Sequence, residues 1–305
     1  MSEAARIPHV AADADEAAEA ADPVATTVPP ASGVPPKRAS SEPRERASRS
    51  RRSTPAVRVE HLSKQFGGHP AVQDVSLTVP VGSFYGVVGP NGAGKTTLLS
   101  MIAGLLRPDA GSVELDGENI WTPGSDVRRR IGVLPDRFLL FDRLTGRQYL
   151  RYAGALRGMP SKLIKERTET LIDTFGLRES AHRLVADYST GMAKKIALAS
   201  AMIHGPRLLV LDEPFEGVDP VSAARITRLL KKFVAGGGTV LLSSHSMPFV
   251  QRTCDRVAVI VDGLVIASGT MKQVRAGKSL EERFLTLVDA EPGSEELAWL
   301  YSSSG

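Results

Sequence analysis

From about residue 56 onward, the hydrophobic positions fall into short β-rich runs separated by turn residues. These runs are 57–60, 72–79, 84–88, 112–115 and 131–134. Short apolar runs bounded by Gly, Pro and charged residues are typical of strands in a packed sheet. One helix is predicted over 96–103 and a short one around 126–130. The first half of this region is therefore predicted to be mainly β-structure.

The pattern becomes helical between residues 145 and 205. Helix-compatible runs cover 146–156, 161–175 and 191–203, with little β signal between them. Strands return at 208–211 and 239–244, with a helix predicted over 221–234. A helical block between two β-rich halves predicts an α/β fold, over residues 56–277, with a helical subdomain inserted at about 137–205.

The two ends of the chain differ from this central region in composition. Residues 1–55 are rich in Ala, Pro, Ser and charge and have few large apolar residues, so they are predicted to be a disordered polar tail. Their basic part, 37–52, could touch anionic lipid or nucleic acid, although a solvated tail is the favoured interpretation. Residues 278–305 are predicted to form a C-terminal helix and a loose tail.

The overall composition is that of a globular protein with a substantial core. The chain has 305 residues, of which 42% are hydrophobic and 24% charged, and its net charge is +4. One cysteine excludes an intramolecular disulfide framework and fits a reducing compartment. No apolar run approaches the length of a membrane span, and the start of the chain lacks the order of a secretory signal.

The stretch 89–97 matches the phosphate-cradling pattern G-x-x-x-x-G-K-[ST] between a predicted strand and a predicted helix. Such a P-loop brings backbone N–H groups and the positive end of the helix to phosphate. Lys95 is predicted to reach the β- and γ-phosphates and Thr96 to coordinate magnesium. The predicted nucleotide contacts are Gly89, Pro90, Asn91, Gly92, Ala93, Gly94, Lys95, Thr96 and Thr97. An ordinary glycine-rich turn is the alternative, but every fixed position of the pattern is met.

Polar residues with catalytic potential follow two later strands. The apolar run 208–211 leads into Asp212 and Glu213, a pattern typical of a magnesium-handling strand end in a P-loop fold. Asp212 is predicted to hold magnesium, and Glu213 to polarise the attacking water as a general base. His245 follows the strand 239–244 and could reach a ligand in the crevice at the strand ends.

Several motifs in one order identify a family resemblance, which covers about residues 56–275. The chain resembles the nucleotide-binding subunit of ATP-binding cassette (ABC) transporters. Segment 89–96 matches the family's Walker A motif, 208–213 its Walker B motif with the catalytic glutamate, 217–219 its D-loop and 243–245 its switch histidine. The most discriminating match is Tyr188-Ser189-Thr190-Gly191-Met192, which resembles the signature Leu-Ser-Gly-Gly-Gln at the start of a helix.

This resemblance implies a P-loop ATPase fold with a mixed-sheet ATP-binding core, an antiparallel β part and the inserted helical subdomain. It implies ATP and Mg²⁺ as ligands, Phe66 as the aromatic residue that stacks on adenine, and Asp219 of the D-loop as a further nucleotide-site residue. Ser189 and Gly191 would face the nucleotide of a second cassette in a head-to-tail dimer, expected to be a homodimer. The catalytic residues would be Lys95, Glu213 and His245.

Two departures from the family pattern concern the site. The signature has Thr190 and Met192 where glycine and glutamine are usual, while Ser189 and Gly191 are kept. Asp136 stands where the family commonly has the Q-loop glutamine that touches magnesium and water. An aspartate can still coordinate a hard cation, but it is shorter and adds negative charge.

Within the family, the chain looks most like the ATPases of two-component exporters of drugs, antibiotics and peptides. The resemblance implies a separate transmembrane permease as partner, docking near residues 136–152, and a peripheral location on the cytoplasmic face of the cell membrane. No direct contact with nucleic acid is expected. The alternative is an ABC-type ATPase that acts as an ATP-gated clamp on nucleic acid or the ribosome, but such proteins usually carry two cassettes or a long coiled-coil insertion.

Overall fold

The fold is described from a computed structural model, which defines residues 54–136 and 140–288. The predictions for the tail 1–53, for the first residues of the helical subdomain and for the segment after residue 288 lie outside these ranges.

The described chain contains two β-sheets. The strands are β1 (Val57–Phe66), β2 (His69–Val79), β3 (Phe84–Val88), β4 (Ala110–Leu115), β5 (Glu118–Asn119), β6 (Ile131–Leu134), β7 (Leu208–Leu211), β8 (Thr239–Ser244), β9 (Arg256–Val261) and β10 (Leu264–Thr270). One sheet has the order β2-β1-β4-β5 and is antiparallel. The other has the order β10-β9-β3-β8-β7-β6 and is parallel except for β10. The mixed sheet and the antiparallel part match the predicted fold class.

Helices surround the parallel strands. They are α1 (Lys95–Ile102), α2 (Gly146–Leu156), α3 (Ser161–Thr174), α4 (Thr190–Met202), α5 (Pro220–Ala235), α6 (Met247–Thr253), α7 (Met271–Arg275) and α8 (Leu280–Val288). Helices α2, α3 and α4 correspond to the predicted helical block, with ends within one residue of the prediction. The segment around 126–130 forms a 3₁₀ turn over Val127–Arg130 rather than an α-helix.

The central strands are buried on both faces, and their side chains alternate between two cores. Phe84 and Val88 of β3 point into a core shared with α4 and α5, whereas Tyr85 and Val87 point into a core shared with α1 and the antiparallel sheet. All residues of β3, β7 and β8 are buried. Continuous hydrophobic runs of this kind are expected where a parallel sheet is covered on both sides.

Close packing joins the helical block together. Thr145 caps α2 in a capping box with Gln148. A Cβ at Gly146 would overlap the Tyr188 hydroxyl, which donates a hydrogen bond to the Ser180 carbonyl at 2.8 Å. The chain before α4 therefore lies directly against the start of α2.

The lone cysteine belongs to the core beside β3. Cys254 is 6% exposed, and a Cβ at Gly86 would lie 3.2 Å from its Sγ. Burial raises the pKa of the Cys254 thiol. Glycine at position 86 therefore gives the cysteine and α6 room to approach the strand.

Sequence patterns did not predict β5, β9, β10, α6 or α7. Helix α6 has seven residues with a proline in its first turn, and α7 has five, so neither offers enough turns for a helical period. Strand β10 is an edge strand with no fully buried position. No helix in the described ranges combines the length and apolar character that crossing a bilayer requires.

Packing of α2 into the core yields a stability prediction. Replacing Leu150, which is 0% exposed, with Ala is expected to lower the free energy of unfolding by about 2–5 kcal/mol, because it leaves a cavity. Leu156 lies on the same helix but is 67% exposed, so Leu156→Ala is expected to change it by less than about 0.5 kcal/mol. Urea unfolding of both variants measures the difference, and equal losses would contradict the packing.

Candidate nucleotide-binding site

Three parallel strands bring the predicted site residues to one edge of the sheet. Strands β3, β8 and β7 lie side by side, and the loops after their carboxyl ends form a cleft of about 480 Å³. Ligands of open α/β sheets bind at this edge. The cleft is lined by Ala71, Asn91, Gly92, Gly94, Lys95, Thr96, Thr97, Asp136, Glu213, Glu216 and His245.

Glycines allow the P-loop to lie close to neighbouring backbone. Gly94 is the N-cap of α1 with φ 94°, and a Cβ there would overlap the carbonyl oxygen of Ala71. A Cβ at Gly89 would likewise overlap the carbonyl of Ile260. The loop is therefore held against both β2 and β9, with the first turn of α1 opening into the cleft.

Lys95 is a buried cation at the start of α1. Lys95 is only 7% exposed, and its ammonium donates hydrogen bonds to the carbonyls of Gly89 at 2.8 Å and Pro90 at 2.9 Å. Burial lowers the pKa of the Lys95 ammonium, while the carboxylates of Glu213 and Asp212 oppose that shift. The Lys95 ammonium is thus held inside the loop. A phosphate group bound there could replace the two carbonyls as the acceptor of its hydrogen bonds.

Both acidic residues after β7 are hydrogen-bonded to a serine on the neighbouring strand, Asp212 through its carboxylate and Glu213 through its backbone amide. Parallel pairing of β7 with β8 sets Leu211 opposite Leu242, which brings Asp212 beside Ser243. The Ser243 hydroxyl donates a short hydrogen bond to Asp212, and the Glu213 amide donates to the same hydroxyl at 2.9 Å. Glu213 has φ 44°, an uncommon conformation for a residue with a side chain. Such strain often marks a functional position.

His245 and Glu213 form a pair in the cleft. His245 Nδ1 lies 3.1 Å from Glu213 Oε2, and the Glu213 side chain is only 14% exposed. The imidazole is 56% exposed and remains accessible to a ligand. A carboxylate positioned by a histidine beside a phosphate cradle is suited to orienting a water molecule.

The cleft lining includes many of the predicted residues, but Gly89, Pro90, Ala93 and Asp212 do not line it, and Phe66, Ser189, Gly191 and Asp219 lie elsewhere. Phe66 ends β1, is 50% exposed and does not line the cleft. Ser189 caps α4 by accepting a hydrogen bond from the Met192 amide, and Gly191 lies in the first turn of that helix. Ser189 is exposed, as a contact with a second subunit would require.

Asp219 has a structural role in the described chain. It is the N-cap of α5, and its carboxylate accepts a hydrogen bond from the Ser222 amide at 2.9 Å. Hydrogen bonds from Ser222 lower the pKa of the Asp219 carboxyl. The assignment of Asp219 to a nucleotide therefore depends on a second subunit, because within one chain its carboxylate serves the helix.

Sequence reasoning missed three residues of the site. Ser243 was recognised as part of a motif but given no role, and Glu216 and Ala71 were not considered. A polar residue inside a fully buried strand was the available signal for Ser243. Nothing in the sequence indicates that Ala71 would lie beside Gly94, because they come from separate strands and loops.

The side chains around the cleft offer few ligands for Mg²⁺. Within 54–136 and 140–288, no three His, Cys, Asp or Glu side chains form a group that could hold a metal ion alone. Mg²⁺ usually takes one or two carboxylates, substrate phosphates and water. The carboxylates of Asp212 and Asp136 and the hydroxyl of Thr96 fit this sparser kind of site.

Fold and cleft together define a P-loop nucleotide-binding protein, and comparisons identify its family. A family model described as "ABC transporter" matches residues 72–216. The daunorubicin/doxorubicin resistance ATP-binding protein DrrA of Streptomyces peucetius is 38% identical over 79% of this chain and 73% of its own length. The ABC transporter ATP-binding protein NatA of Bacillus subtilis is 40% identical over 70% of this chain and 87% of its own. The chain belongs to the ABC transporter family.

Solved structures agree with this assignment. An ATP-binding subunit of an ABC transporter superposes with a TM-score of 0.72 at 29% identity, covering 76% of this chain and 99% of that one. A dimeric bacterial ABC transporter cassette superposes with a TM-score of 0.66 at 25% identity, covering 70% and 98%. The protein is an ATP-binding and ATP-hydrolysing subunit of this family.

Two of the three P-loop glycines, Gly92 and Gly94, allow a matched test of the loop's packing. Gly92 and Gly94 both have positive φ, at 83° and 94°, but only Gly94 faces a backbone atom that a Cβ would overlap. We expect Gly92→Ala to lower the unfolding free energy of the nucleotide-free protein by about 1 kcal/mol. Gly94→Ala is expected to lower it by at least about 2 kcal/mol more, because the loop must move away from Ala71. Denaturant unfolding of both variants without nucleotide measures the difference. Equal losses of unfolding free energy would contradict the packing of Gly94 against Ala71.

Proposed function

We propose that the protein powers a separate membrane-spanning exporter by ATP-driven closure of a head-to-tail dimer of two copies. The observation that carries the proposal is the single cleft in which the buried Lys95, the P-loop and the Glu213–His245 pair meet. Relatives whose names refer to export or resistance support the direction of transport, among them a Nod factor export ATP-binding protein of Ralstonia nicotianae. That protein is 38% identical over 71% of this chain and 68% of its own length.

The exposed start of α4 supports the dimer. Ser189 and Thr190 are exposed, and the free N–H groups of a helix N-terminus bind anions. In a head-to-tail pair this end of α4 would face the γ-phosphate held by the P-loop of the other copy. Closure would then depend on nucleotide, because each ATP would contact both subunits.

The cleft residues divide the chemistry among them. Lys95 and the P-loop amides bind and orient the phosphates, and Glu213 accepts a proton from the attacking water while His245 positions its carboxylate. Thr96, Asp212 and Asp136 would hold Mg²⁺, which neutralises charge on the phosphates when bound. Asn91 and Thr97 complete the polar lining.

An exposed aromatic patch supports docking of a permease. Phe141 is 51% exposed and Tyr152 of α2 is 42% exposed, and their rings meet edge to face at 5.0 Å. Tyr149 lies 6.3 Å from Phe141 and completes the patch. Amphipathic aromatic side chains are favoured at interfaces, and this patch follows Asp136 closely in the chain. A cytoplasmic helix of the permease is the proposed occupant, which would place the protein at the cytoplasmic face of the membrane.

Catalysis is tested with two cleft variants. Glu213→Gln is expected to keep ATP affinity within about threefold but to lower turnover by at least about 100-fold, because the base is lost. With saturating ATP and magnesium it should form a stable dimer, measured by sedimentation. Lys95→Ala is expected to weaken ATP binding by more than about 10-fold, because a charge-assisted contact to phosphate is lost. Unchanged turnover in Glu213→Gln would overturn the proposed mechanism.

Docking is tested by affinity capture from detergent-solubilised native membranes with ATP and magnesium. A stoichiometric multi-span protein should accompany the tagged Glu213→Gln chain. Adding Phe141→Ala and Tyr152→Ala should lower its recovery by at least about 10-fold while leaving ATP affinity unchanged. Leu105→Ala, which also removes an exposed apolar side chain (62% exposed), is the control. Capture of ribosomes or nucleic acid alone would favour the clamp alternative instead.

A further inference from the structure

Lys194 is a buried cation outside the motifs that define the nucleotide site. It lies on α4, five residues after the cap Ser189, and its side chain is only 6% exposed. Its ammonium donates a hydrogen bond to the carbonyl of Glu216 at 3.2 Å and lies 3.9 Å from the carboxylate of the same residue. Lysine is rarely buried to this extent without a partner. Its partner here is the loop that follows the catalytic strand β7.

That loop and the start of α4 touch at a second point. A Cβ at Gly217 would lie 3.1 Å from Thr190 Cγ2, and one at Gly191 would lie 3.6 Å from the Gly217 carbonyl. The loop is itself folded by hydrogen bonds from the Glu216 amide to the Glu213 carbonyl and from the Val218 amide to the Phe215 carbonyl. The segment from Glu213 to Asp219 is therefore one compact turn packed on the first turns of α4.

The charges around Lys194 come from both sides of the site. Burial lowers the pKa of the Lys194 ammonium, and the carboxylates of Glu216, Asp136, Glu213 and Asp212 oppose that shift in this order. Asp136 adds a negative charge where the family commonly has a neutral glutamine. Lys194 is a buried cation on α4 that offsets part of this negative charge.

We propose that Lys194 is a positioning residue that locks the turn 213–219 onto the first turns of α4. In the proposed dimer, Glu213 acts on the nucleotide bound by its own chain and Ser189 faces the nucleotide bound by the second copy. The Lys194 ammonium would then fix the position of Glu213 relative to Ser189, and so link the two nucleotide sites. The role in coupling two nucleotides rests on the proposed head-to-tail dimer. The locking of the turn is a property of the single chain.

The test uses the full chain with three substitutions. Lys194→Met removes the charge at similar length, Lys194→Arg keeps the charge, and Lys165→Met removes a lysine from the exposed face of α3 as a control. Removing a buried ammonium also removes its desolvation cost, and Glu216 can be solvated because its side chain is 58% exposed. We therefore expect the nucleotide-free Lys194→Met protein to unfold at the parent's denaturant midpoint or above it.

Two measurements separate positioning from simple structural support. By hydrogen exchange, the peptides covering 189–192 and 213–219 should exchange at least about 10-fold faster in Lys194→Met than in the parent or Lys165→Met, without global destabilisation. In the Glu213→Gln background, ATP affinity of the monomer should stay within about twofold, while ATP-driven dimerisation weakens by about 10-fold. Lys194→Arg should restore both values to within about threefold of the parent.

The outcomes separate this proposal from the proposed function. Unchanged exchange at both peptides in Lys194→Met would overturn the locking role, as would faster exchange accompanied by an equal loss of global stability. Unchanged dimerisation with faster exchange would overturn the coupling role. If the parent Glu213→Gln protein itself stayed monomeric with ATP, the proposed function would fail, and the exchange measurement would still decide whether Lys194 locks the turn.

Discussion

The parallel register between β3, β8 and β7 is the constraint on which the rest of the site depends. It sets Val88 opposite Ser244 and Leu211 opposite Leu242, so that the P-loop and the acidic residues Asp212 and Glu213 leave the sheet at one level. The strands are buried on both faces, and slipping by one residue would exchange their two hydrophobic cores. Apolar packing therefore fixes the register of the strands. The register in turn positions the polar residues of the cleft, whose own interactions are not needed to set it.

Much of the fold and part of the site could be predicted from the sequence, for different physical reasons. The P-loop is a local structure, since its glycines, Lys95 and the following helix are adjacent in the chain. The long helices have a clear hydrophobic period, and the buried strands β3, β7 and β8 stand out as short continuous apolar runs. The link from Ser243 to Asp212 depends on strand pairing between distant segments, so no local pattern reveals it. Nothing in the sequence distinguishes Lys194 from a surface lysine, and only the tertiary packing shows that it is buried. Helix α6 is too short to show a helical period.

The charges of the site form two opposed sets. Lys95 lies on the P-loop side and Lys194 on the α4 side, with Asp136, Asp212, Glu213 and Glu216 as the carboxylates that act on Lys194. Their burial differs: Asp212 is 4% exposed, whereas the Glu216 side chain is 58% exposed. Electrostatic attraction is strongest where solvent is excluded, so Asp212 depends most on its bond from Ser243.

The buried cysteine has a practical consequence for studying motion in this protein. Thiolates, not thiols, react with maleimides and other alkylating probes, and Cys254 is both enclosed behind β3 and held in its protonated form. The chain has one cysteine. A cysteine introduced at an exposed position outside the cleft, such as Leu105 or Leu156, would therefore be labelled selectively without first altering the native residue. Distances between spin labels or fluorophores on two copies could then be followed through a nucleotide cycle in a protein whose core is unmodified.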